Sequence, residues 1–224
     1  KRQDPYFMMI RNGIEKEAAK WRLKTVRVFS MRDQDKDLTQ LAKYGAVIII
    51  GEMTQEALQE ISRYNQHIIL VDNYSENDAY DCIQTDFARK THQILDILKA
   101  KGHENIAFIG GVSSRVTITG EVVYDEQEIR AENYKNWMLM NKLEEYSHVF
   151  QGKWSPETGL AFGRKIAEMT PRPTAIIVAS DPMAVGVYKA LNEHGLKIPE
   201  DISVVSFDAV SSTHLRAHET ESYL

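Results

Sequence analysis

Short runs of β-branched and aliphatic residues alternate along the chain with longer stretches in which apolar residues recur at every third or fourth position. The first pattern fits buried strands and the second amphipathic helices, so the chain is expected to be α/β, with parallel sheets flanked by helices. An opening helix is predicted from about Pro5 to Trp21. Asp4 can cap it, Pro5 suits its first turn, and Phe7, Ile10, Ile14, Ala18 and Trp21 share a face. A strand near Thr25 to Phe29, a helix near Asp35 to Lys43, the strand Ala46 to Ile50, a helix near Thr54 to Tyr64 and the strand His67 to Val71 follow. The next helix starts at a capping Asp86, buries Phe87, Thr91, Ile94, Leu95 and Leu98, and stops at Gly102 before the strand Asn105 to Ile109. Beyond a polar stretch come a helix from Glu126 to Asn141, a strand near Ser147 to Phe150, and a helix opened by Ser155 and Pro156 that runs to Met169. The strand Thr174 to Ala179, a helix capped by Asp181 with Pro182 at its first position, and the strand Ser203 to Phe207 complete the series.

The series divides between Tyr80 and Asp86, where the acidic, weakly patterned stretch Ser75 to Asp81 separates two βα runs. Two similar lobes are expected, over residues 1–84 and 85–210, with a polar tail, 211–224, left unassigned. A doubly wound half ordinarily begins on a strand, yet this chain opens on a helix. With the unpatterned tail, this reads as a chain missing both ends of the natural protein.

Composition narrows the class. Lys plus Arg total 27 against 32 Asp plus Glu, a net charge of -5, so there is no global basic field to hold a phosphate backbone. The single cysteine, Cys82, excludes a disulfide framework and a cysteine-based zinc site, and fits a reducing, cytoplasmic setting. The longest apolar run, Ala46 to Ile50, is far below the roughly 18 residues that a membrane span needs, so no membrane partner is expected.

In open parallel sheets, ligands bind beyond the carboxyl ends of the strands. Those positions here carry Asp72 and Asn73, Gly110 and Gly111, Ser180 and Asp181, and Asp208. Trp154 follows a further strand, Tyr6 and Phe7 open the first helix, and Arg130 stands early in its own. Planar acceptors, a guanidinium and aromatic faces suit a sugar, which offers adjacent hydroxyls to grip in pairs and an apolar C–H face to stack. Plainer readings stand beside these. Asp181 is a helix cap, Asp72 and Asp208 are turn residues, Trp154 is core, Arg130 is a surface charge, and the acidic run Glu121 to Glu132 is a solvated loop and helix start. Gly110 and Gly111 could cradle a phosphate, but neither the phosphate-binding lysine nor the dinucleotide fingerprint follows. The histidines show no zinc-protease spacing and no nucleophile elbow occurs, so no metal, cofactor or catalytic residue is expected.

Several segments together resemble the effector-binding core of the lac repressor and galactose repressor family of bacterial transcription regulators. They are Asp4-Pro5-Tyr6-Phe7 with Gly13-Ile14-Glu15, Gly45 to Gly51, Ile69-Leu70-Val71-Asp72, Lys101 to Gly111, Thr174 to Ala184 reading TAIIVASDPMA, and Ile198 to Asp208. The resemblance implies a two-lobed, periplasmic-binding-protein-like (type I) fold. It also implies a sugar held between the lobes, and a sugar-linked switch of an amino-terminal helix-turn-helix that reads operator DNA and is absent from these residues. By position it implies that Asp72, Arg130 and Asp208 bond the effector and that Trp154 lines its cleft. Ser180 stands where many relatives carry Asn. Tyr6 and Phe7 are expected to add apolar contact. A homodimer and a galactose or galactoside effector are further implications, the latter from the spacing around Ser75 to Asp86 and Val116 to Arg130. The alternatives are a periplasmic or lipoprotein sugar-binding protein of an uptake system, or an α/β enzyme using Asp72 or Asp208 as general base.

Overall fold

A computed structural model of the chain describes residues 5–24, 28–33, 36–73, 79–125 and 127–208. In chain order the elements are α1 (Pro5–Lys20), β1 (Val47–Ile50), α2 (Gln55–Ser62), β2 (Ile68–Val71), β3 (Asp81–Ile83), α3 (Phe87–Ala100), β4 (Ile106–Gly111), β5 (Ser113–Val116), β6 (Val122–Asp125), α4 (Ile129–Met140), β7 (Ser147–Gly152), α5 (Pro156–Ala167), β8 (Ala175–Val178), α6 (Asp181–Glu193) and β9 (Ser203–Ser206). They form two compact units, Lys1–Thr85 with Ser113–Asp125, and Asp86–Val112 with Glu126–Leu224.

The first unit holds a parallel sheet in the order β1-β2-β3, with Ile48 opposite Ile69 and Leu70 opposite Cys82. Leu41, Ile49, Leu58, Ile61, Ile68 and Leu70 form its core. Buried Asn65 ties the unit's loops together. Its amide donates to the carbonyls of Leu41 at 3.0 Å and Tyr44 at 2.8 Å, and its oxygen accepts from the His67 N–H. The stretch after Gly111, read above as polar loop, is instead an antiparallel hairpin of β5 and β6. Val116 anchors it, its N–H donating to the Glu52 carbonyl and its carbonyl accepting from the Thr54 N–H. The helix expected from Asp35 shrinks to a 3-10 segment, Leu38–Lys43, because the Asp37 carboxylate caps it by accepting from the Thr39 N–H. Trp21 does not join Phe7, Ile10, Ile14 and Ala18 on the half-buried face of α1. That helix ends at Lys20 and the indole is 74% exposed. The Asp4 cap, residues Thr25 to Arg27 of the first expected strand, and the 211–224 tail lie outside the described residues.

The second unit is a parallel sheet in the order β7-β4-β8-β9 with helices on both faces. Side chains alternate across a strand, so Ile106 and Phe108 of β4 meet α3 and α4 through Leu95, Leu98, Tyr134 and Trp137. Ala107 and Ile109 meet α5 and α6 through Ile166, Met183, Val187 and Leu191. Burial on both faces is why β4 and β8 read as unbroken apolar runs. The two outer helices approach at backbone distance. A Cβ on Gly159 would lie 2.0 Å from the Met183 carbonyl oxygen, and one on Gly186 would lie 1.9 Å from that of Pro156.

Candidate functional site

The carboxyl ends of the second unit's strands converge on Arg130, at the start of α4 and 9% exposed. Glu128 precedes the helix as its N-cap and is itself 4% exposed. One carboxylate oxygen accepts from the backbone N–H groups of Arg130 at 3.1 Å and Ala131 at 3.0 Å; the other accepts from the Arg130 Nε at 2.6 Å. Arg130 Nη1 donates to the carbonyl of Ala179, just past β8, at 2.9 Å. Three rings surround the guanidinium carbon, with centroids at 4.4 Å for Phe87, 4.9 Å for Trp154 and 5.5 Å for Phe207. Phe87 and Phe207 pack edge to face, 5.9 Å apart. A guanidinium carries five N–H donors, and hydrogen bonds among the described residues engage two of them here.

Trp154 is 40% exposed and held in place, its Nε1 donating to the Val112 carbonyl at 2.9 Å. The indole lies over Gly111, where a Cβ would fall 2.1 Å from a ring atom. This gives Gly111 a packing role: it is part of β4, and the space a side chain would fill belongs to Trp154. Ser180 occupies the N-cap position of α6, 7% exposed, with no hydrogen bond from its hydroxyl to the helix end. Asp181, expected as that cap, is instead the first helical residue, and its carboxylate accepts from the Ser206 hydroxyl of neighbouring β9 at 2.5 Å. Asp208 follows Phe207 with φ at +90°, a left-handed conformation uncommon for a residue bearing a Cβ.

Arg130, Trp154, Ser180 and Asp208 thus lie on or beside one group of residues. Sequence reasoning missed Glu128, placed above in a solvated run, and the ring roles of Phe87 and Phe207. In the first unit, Asp72 follows β2 with φ at +54°, its N–H donating to the Ile83 carbonyl at 2.9 Å. Tyr6 and Phe7 pack edge to face, 5.2 Å apart, at the start of α1. A hollow of about 240 Å³ in that unit, lined by Thr54, Gln55, Arg115 and Tyr124 among others, includes none of these three. Among the described residues, no group of three His, Cys, Asp or Glu is gathered to hold a metal ion, and no helix is long and apolar enough to cross a membrane.

A parallel sheet with helices on both faces, and a polar and aromatic group at its carboxyl end, matches a known class. Residues 95–220 match the family described as periplasmic binding protein-like domain. Residues 1–125 match periplasmic binding proteins and sugar binding domain of LacI family, and the chain belongs to this family. It is 31% identical over 212 residues to the HTH-type transcriptional repressor MelR of Bacillus subtilis, covering 93% of this chain and 60% of that protein. It is 28% identical over 206 residues to the HTH-type transcriptional regulator GalR of Streptococcus thermophilus, covering 92% and 60%. The chain therefore spans about three fifths of the length of these relatives. A LacI-family transcriptional regulator from Lactobacillus casei, solved with bound sucrose, has the same fold, with a TM-score of 0.73 at 22% identity over 94% of this chain and 77% of that one.

Proposed function

We propose that this chain is the effector-binding part of a sugar-responsive transcription regulator, acting as a repressor in the bacterial cytoplasm. A sugar docks on the Arg130 group of the second unit and shifts the balance between a DNA-competent and a released form. The observation that carries this reading is a buried guanidinium, ringed by three aromatic side chains, that keeps N–H donors in reserve. Adjacent hydroxyls accept from those donors, the Trp154 face takes the apolar side of the ring, and Ser180 and Asp208 supply further polar contacts. Asp72, Tyr6 and Phe7 are the first unit's proposed contributions. The names of the relatives support a regulator over an uptake protein. Binding linked to a conformational balance needs no catalytic residue.

Operator DNA, a second copy of the chain and an effector of the galactose or galactoside class are the proposed partners. A thermal-shift panel of galactose, lactose, glucose and allied sugars tests the reading. At least one sugar is expected to raise the melting temperature with dose, and Arg130→Lys, which keeps the charge but loses the planar fork, is expected to lose the response. A folded protein indifferent to every sugar overturns it.

A further inference from the structure

We propose that Glu128 sets the charge class of the ligand, so that the Arg130 group accepts a neutral sugar and rejects its phosphorylated form. This rests on the reading of that group as a sugar site. An arginine that recognises a phosphate ordinarily brings an uncompensated positive charge and a bidentate pair of donors. Here the charge is already compensated and one of the two donor pairs is closed. Glu128 lies 2.6 Å from Nε, with both residues nearly buried, so the positive charge is already neutralised inside the protein. The same contact closes the side-on fork made by Nε and Nη2, and the Ala179 carbonyl takes one hydrogen of Nη1. Among the described residues, nothing takes the second hydrogen on Nη1 or the two on Nη2, enough for sugar hydroxyls.

The Glu128 carboxylate is also fixed. Its second oxygen holds the first turn of α4 through two backbone N–H groups, so it cannot swing aside when an anion arrives. Among the described residues beside this group, Asp181 is bonded to Ser206 and Lys153, next to Trp154, is exposed. A ligand carrying two negative charges loses hydration against a guanidinium whose charge Glu128 already compensates, whereas a neutral sugar needs only the remaining N–H donors.

The test is calorimetric titration of the chain and of Glu128→Gln with galactose, glucose and the 6-phosphate of each. Gln keeps an oxygen for the helix cap and removes the charge. The unsubstituted chain is expected to bind a neutral sugar at least about tenfold more tightly than its 6-phosphate, and Glu128→Gln to narrow that ratio at least about tenfold by gaining affinity for the phosphate ester. Steric exclusion of the phosphoryl group alone would leave the ratio unchanged in the variant, and that result overturns the proposal. So does a 6-phosphate that binds the unsubstituted chain as tightly as the neutral sugar, a comparison that needs no variant to fold. In both of those results the sugar-site reading survives. Binding of no sugar in either form overturns both.

Discussion

The indole of Trp154 lies directly against the backbone of Gly111, and its Nε1–H is fastened to the carbonyl of the next residue, Val112, at 2.9 Å. A Cβ added at Gly111 would fall 2.1 to 2.4 Å from three indole atoms. Gly111→Ala is therefore expected to push the ring off its seat, at a cost of about 1–3 kcal/mol in stability. Sugar affinity should fall with it, because the stacking face is displaced. Urea unfolding and calorimetric titration check both, and an alanine variant with unchanged affinity would remove the Trp154 face from the site.

Glycines elsewhere should behave in opposite ways. Gly159 and Gly186 sit where a Cβ would strike a backbone carbonyl oxygen at 2.0 and 1.9 Å, and carbonyls of packed helices do not yield as side chains do. Each alanine variant is expected to destabilise the second unit by about 2 kcal/mol or more. Gly13, within α1, has nothing within 4 Å of its added Cβ. Gly13→Ala should stabilise by up to about 1 kcal/mol. Denaturant midpoints of the three variants measured side by side check the contrast.

Asp208 holds a φ of +90°, a conformation that glycine adopts freely. Backbone strain of this kind is tolerated where a side chain serves a ligand. Asp208→Gly is therefore expected to weaken sugar binding by about 2 to 4 kcal/mol while the chain stays folded. A melting curve and a sugar titration on one sample suffice, and a folded variant with unchanged affinity would show Asp208 to be a turn residue only.

Two histidines give stability a pH dependence of known sign. Burial holds His103 and His148 below the ordinary value of 6.5, with the Lys101 charge adding to the effect at His103. Such a group protonates more readily in the unfolded chain. Its contribution is complete above pH 6.5 and is lost as the pH falls toward the folded value. His194 runs the other way. Its hydrogen bond to the Ala190 carbonyl, helped by Glu168, raises its pKa, so its contribution is present below pH 6.5 and is lost as the pH climbs through the raised value. Melting temperatures from pH 5 to 8 should become less acid-sensitive in His103→Gln and less alkali-sensitive in His194→Gln.

Where a feature depends on neighbours in the chain, it was legible beforehand. Asp86 caps its helix and Ser155 opens its own through side-chain oxygens as expected, and Gly102, the expected stop of α3, takes a positive φ. The apolar runs placed β1, β2, β4, β8 and β9 to within two residues at either end. What escaped depends on residues meeting across the fold. Glu128 and Arg130 are two apart, a spacing at which side chains do not face each other on a helix. They meet because Glu128 stands outside the helix as its cap and can turn back onto the guanidinium. Asp181 before Pro182 has the look of a cap, yet Ser206 on β9 claims its carboxylate and Ser180 takes the cap position. Phe87 and Phe207 are far apart in sequence, and only the α3 packing against the end of β9 brings them to the same cation.

The central claim is that a sugar binds on the Arg130 and Trp154 group, and calorimetric titration of the chain beside its Trp154→Ala variant tests it most directly. Trp154 is partly exposed, so its removal should leave the chain folded, at a stability cost comparable with that of Gly111→Ala. The account predicts saturable heat with at least one neutral sugar and an affinity at least about tenfold lower in a variant that remains folded at the titration temperature. An identical dissociation constant in the two proteins, or no heat from any sugar with a folded chain, would contradict it.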